Sequence, residues 1–119
     1  MRLPLAVTSL LIATACGSEP VTVRFDEVKN DLAFFFVLNQ SERDVESIDF
    51  ELSFRSQGGD VLSVDTVGYA TTPDAATGYP TAFVKSGAET FFVAKMPSNA
   101  VSATATVIDL TYIDGTKWP

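Results

Sequence analysis

The chain of 119 residues has no histidine and a single cysteine, Cys16. Without histidine there is no imidazole base near neutral pH, so a Ser-His-Asp triad cannot be assembled, and a zinc site built on imidazoles is excluded as well. One thiol cannot close an intrachain disulfide, so any stabilisation must come from the core. Basic residues are also scarce, eight against fifteen acidic, for a net charge of −7. Nucleic-acid affinity rests on releasing counterions to a basic footprint, so nucleic acid is not an expected partner. Also missing are a Gly-rich phosphate loop, an EF-hand spacing, and any window of eleven residues with consistent helical periodicity. Scattered aspartates at 60, 65, 74, 109 and 114 are read as turn and surface residues, and no cofactor or metal is expected. Asp49 and Glu51 share a strand face with Arg55, which reads as a solvated outer surface, not an acid-base pair.

The longest apolar stretch lies at residues 3–15, behind Met1-Arg2, and is interrupted only by Pro4, Thr8, Ser9 and Thr14. Thirteen residues at about 1.5 Å each fall well short of a bilayer's hydrocarbon layer, so the stretch predicts an export signal in preference to a permanent span. Small residues Ala13, Thr14 and Ala15 precede Cys16, and Gly17-Ser18 follow. This resembles the bacterial lipoprotein signal, although Ala13 stands where that family more often has leucine. The resemblance implies cleavage after Ala15 and acylation of Cys16, making the lipid bilayer the first partner. It also implies a place in the bacterial cell envelope, on the outer membrane facing the periplasm where the host has two membranes. Such cleavage leaves 104 residues and, with Arg2 gone, a net charge of −8. The organisation expected is a cleavable signal peptide over residues 1–15, a lipidated cysteine and tether over 16–20, and one domain over 21–119.

Within that domain the signal is a period of two. Residues 45–55 are the clearest case, with Ile48, Phe50, Leu52 and Phe54 on one side and Asp49, Glu51, Ser53 and Arg55 on the other. Strands are further expected at 21–29, 31–39, 60–69, 88–96, 101–112 and 116–118, with a bulge near Val107-Ile108. Gly58-Gly59 and Asp114-Gly115 supply tight turns. About seven short strands so spaced predict an all-β domain, an immunoglobulin-like antiparallel β-sandwich, with a closed barrel as the competitor.

The run at 50–62, FELSFRSQGGDVL, resembles the FxLYD type of immunoglobulin-like domain, as does KSGAETFF at 85–92. Ser53-Phe54 replaces that family's Tyr-Asp. The closing YIDGTKW at 112–118 resembles the end of related bacterial envelope domains. The resemblance implies an extracytoplasmic, non-enzymatic module and brings no catalytic residues.

Residues 32–38, LAFFFVL, are apolar on both faces, and 88–96 repeats the pattern. An antiparallel sandwich normally wets one face of each strand. The second and fifth strands should be neighbours, which makes Phe35, Val37, Phe91 and Phe92 the candidate interaction surface. The competing reading is that residues 71–83, carrying Tyr79 and Phe83, fold over them as a lid. Tyr79, Tyr112 and Trp118 are the candidate ligand aromatics. The function expected is binding or assembly with an envelope protein, without catalysis. The alternatives are a solute- or carbohydrate-binding accessory module and a structural spacer without a dedicated ligand.

Overall fold

The computed structural model describes residues 19–119. Cys16 and the expected signal lie outside the described residues. Seven strands follow in order: β1 (Val21–Lys29), β2 (Leu32–Asn39), β3 (Val45–Arg55), β4 (Val61–Ala70), β5 (Glu89–Lys95), β6 (Ser102–Tyr112) and β7 (Lys117–Trp118). They form two antiparallel sheets, one of three strands in the order β1-β2-β5 and one of four in the order β4-β3-β6-β7. The domain is an immunoglobulin-like β-sandwich. In the constant-type order the fourth strand would lie beside the fifth; here β4 extends β3 instead.

Turn chemistry explains the hairpins. Asn30 and Asp31, with φ of 53° and 65°, make a two-residue turn that pairs Lys29 with Leu32. Short polar side chains tolerate that left-handed backbone. Between β3 and β4 only Gly59, φ 92°, enters the left-handed region, so Gly58 does not share the role expected of both glycines. Ser56 N–H donates to Asp60 O there, and Gly59 N–H to Ser56 O.

Bulges set the facing of each strand. In β6 the extra residue is Ile108, because Asp109 pairs with Asp49 and Val107 with Phe50. Val107 and Leu110 thereby both reach the core. In β1 the extra residue is Asp26, which shifts the pairing by one so that Phe25 lies opposite Phe35.

The core is an aromatic stack joining the sheets. Phe92 lies 4.8 Å from Phe35 on its own sheet, and 4.7 Å from Phe50 and 4.5 Å from Tyr69 on the other. Ile48, Phe50, Leu52 and Phe54 all face inward and are fully buried. Asn39 is the buried polar side chain among them. Its Nδ2 donates to Arg43 O and Val84 O, and its Oδ1 accepts from Ser41 N–H and Oγ. A buried amide so satisfied ties β2 to the loop entering β3.

Candidate interaction face

Pairing register arranges the outward side chains of β1, β2 and β5 in four rows. They read Thr22, Leu38, Glu89; Arg24, Phe36, Phe91; Glu27, Phe34, Val93; and Lys29, Leu32, Lys95. The middle of this face is apolar. Leu38, Phe91 and Val93 are exposed, Phe91 to 58%, while Phe34 and Phe36 are half-buried by their own neighbours. Phe36 and Phe91 meet as a tilted pair with ring centres 6.5 Å apart. The Arg24 guanidinium lies 4.6 Å over the Phe36 ring and 4.0 Å from Glu89, so it reaches into the face. Asp26, the bulge residue, lies 3.4 Å from the same guanidinium, so the face carries three basic and three acidic side chains on a chain that is strongly acidic.

This arrangement corrects the surface expected from the sequence. Phe35 and Val37 are wholly buried and Phe92 nearly so, which leaves Phe91 as the one expected residue that is exposed. β2 runs without a bulge, so Ala33, Phe35 and Val37 form one inward set along its whole length. A straight ladder from the two-residue turn would set Phe25 opposite Phe36 on the outer side; the added Asp26 brings Phe25 opposite Phe35 and Val23 opposite Val37, so that the apolar set of β1 shares the core with theirs. Residues 71–83 are not a lid over this face. Phe83 stacks on Tyr69 with centres 6.1 Å apart, closing the side of the core, and Phe91 stays open. The Tyr69 hydroxyl donates to Val93 O, and desolvation raises its pKa above the usual phenol value.

Two of the three candidate ligand aromatics come together. Tyr112 and Trp118 line an open hollow of about 500 Å³ with Glu19, Pro20, Gln40 and Ser41; Tyr79, 71% exposed, lies outside it on the 71–83 loop. Several polar groups of the hollow are engaged by their neighbours. Gln40 Nε2 donates to Glu19 O, Ser41 Oγ is engaged with Asn39 Oδ1 and Arg43 O, and the Arg43 guanidinium covers one face of Tyr112 at 3.7 Å. Arg43 also reaches Asp114 at 3.4 Å and bonds Thr116 Oγ1. Bonds from Thr116 and the nearby Arg43 hold the Asp114 carboxyl below its ordinary pKa. These contacts brace the end of the sandwich.

The outer face of the four-stranded sheet is polar along its centre, with exposed Val61 and Val64 confined to its β4 edge and Ile108 to the bulge. Asp49 stands directly across from Asp109, and a Cβ on Gly68 would lie 2.5 Å from Asp49 Oδ1. Desolvation, the hydrogen bond shared with Asp109 and repulsion from it raise the Asp49 pKa, opposed by Lys117. The bulge is expected from the sequence, but the Asp109 partnership is not, because it depends on the cross-strand register of β3 and β6. Among the described residues no group of three or more His, Cys, Asp or Glu side chains is disposed to hold a metal ion. The chain matches no family model and no curated protein sequence.

Proposed function

We propose that this is a lipid-anchored envelope lipoprotein whose β-sandwich binds other proteins, without catalysis, through the outer face of the three-stranded sheet. The observation that carries this reading is the stripe of half-buried Phe36 and exposed Leu38, Phe91 and Val93 at the centre of its face, where the centre of the other sheet's outer face carries Asp49, Glu51 and Asp109. Contiguous apolar surface bordered by charge is characteristic of interaction sites, since a sheet face meant for water alternates apolar with polar side chains. The lipobox-like run ending at Cys16 supports the anchor. Two or more acyl chains make membrane attachment stable. In a two-membrane host the anchor belongs to the outer membrane, facing the periplasm. The likeness of residues 50–62 and 85–92 to FxLYD-type domains fits the same non-enzymatic role.

Two experiments test the parts separately. Radiolabelled palmitate should enter the wild type and not Cys16→Ser; an unlabelled wild type removes the anchor. Crosslinking in native membranes with mass spectrometry should capture protein through the wild-type face and lose that capture in Phe91→Asp. Equal capture by both proteins removes the face from the reading.

A further inference from the structure

We infer that the occupant of this face is a second copy of the same chain, packed sheet on sheet with its strands antiparallel. The inference rests on the reading of the face as a protein-binding surface and adds the identity of the partner. What carries it is the charge pattern of the four rows. A twofold axis lying in the interface, perpendicular to the strands and between the second and third rows, brings the first row onto the fourth and the second onto the third. Arg24 then meets Glu27 of the second copy, and Glu89 meets Lys95. Phe36 falls on Phe34, and Phe91 on Val93, along the middle.

Each match occurs twice, because the contact is isologous. Four opposite-charge pairs therefore border an apolar centre, and Asp26 of each copy, between the two middle rows on β1, shares the Arg24 guanidinium at 3.4 Å. Packed sheets stand about 10 Å apart with strands aligned to within about 30°, so long charged side chains at matched rows remain within reach of each other. The alternative twofold, parallel to the strands, sets β1 against β5 of the second copy. It brings Lys29 onto Lys95 and leaves Arg24 opposite Phe91. Like-charge contacts of that kind select against a register, while the apolar centre supplies attraction to either. Any acylated tethers would leave such a dimer at opposite ends, so both enter one leaflet only when the strands run along the membrane plane.

The test uses the full-length chain in detergent, carried with two different affinity tags, and asks which copies co-purify. Wild type should capture wild type. Arg24→Glu should fail to capture itself, and so should Glu27→Arg, each losing about tenfold or more in affinity because both symmetry-related pairs are reversed. Mixing the Arg24→Glu chain with the Glu27→Arg chain should restore capture, since each reversed charge then meets its opposite. Restoration between two different chains has no explanation in the folding of either. Melting temperatures within about 3 °C of wild type show that both fold.

A wild type that does not capture itself overturns the inference, as does self-capture by Arg24→Glu or a mixture that stays unpaired. A face that crosslinks to a different protein while the chain stays monomeric also overturns it, and leaves the proposed binding surface standing. Sedimentation of the Cys16→Ser chain with anionic phospholipid vesicles, lost in Phe91→Asp, overturns both in favour of a membrane.

Discussion

The two sheets of this sandwich solve the same packing problem with opposite outer faces. On β3 the inward residues Ile48, Phe50, Leu52 and Phe54 alternate with Asp49, Glu51 and Ser53, and the outer face is wet. On β2 the inward Ala33, Phe35 and Val37 alternate with Phe34, Phe36 and Leu38, which are apolar too. Burial explains the first set on each strand. It leaves the outer set on β2 without a reason inside the monomer, and that difference singles out one face of the molecule as a surface for a partner.

Substitutions at neighbouring residues of β2 should separate the two faces by the largest margin. Phe35→Asp should cost about 4 kcal/mol or more, enough to unfold a domain of this size, because it removes a core aromatic and strands a charge. Phe36→Asp, one residue on, should stay within about 1 kcal/mol of wild type in urea denaturation while losing self-capture. Equal costs at the two positions would erase the distinction between the faces. Asn39→Ala, at the polar end of the inward set, should cost about 1–2 kcal/mol by the same measurement, since the Ser41 amide loses its acceptor while the carbonyls of Arg43 and Val84 each lose one of two donors.

On the wet sheet the expected effects are smaller. Gly68→Ala should cost about 1 kcal/mol, because its methyl would meet Asp49 Oδ1, and most of that loss should vanish in an Asp49→Ala background. A double-mutant cycle reads the coupling. Asp49→Asn should gain a few tenths of a kcal/mol at pH 7 by relieving the facing pair with Asp109. The native pKa of Asp49 is raised, so its ionised form carries a cost that is fully present above that value. The cost disappears as pH falls through the raised value towards the ordinary 3.8, and the advantage of Asp49→Asn should fade over that window in paired thermal melts.

Much of the architecture was legible in the residues. The strands at 21–29 and 45–55 fall where the alternation placed them, the others within a residue or so at either end. The bulge lies at Ile108, and β2 pairs with β5. Period-two alternation and turn residues are local properties, carried by a few neighbouring side chains. The candidate surface was legible only as a surplus. Strand β2 is apolar on both sides, so its own residues name two faces and do not say which one turns inward.

The order of residues fixes an all-β domain of about seven strands without histidine chemistry, and a surplus of apolar side chains on two of those strands; that the strands form two sheets and not a closed barrel is set by their pairing. Tertiary structure alone decided where the excess lies. Phe35 stacks with Phe92 and, through it, with Phe50 and Tyr69 of the other sheet, and one extra residue in β1, Asp26, slips that strand by a single step so that Val23 and Phe25 join the same side; with a period of two, Phe36 and Phe91 are left to the outside.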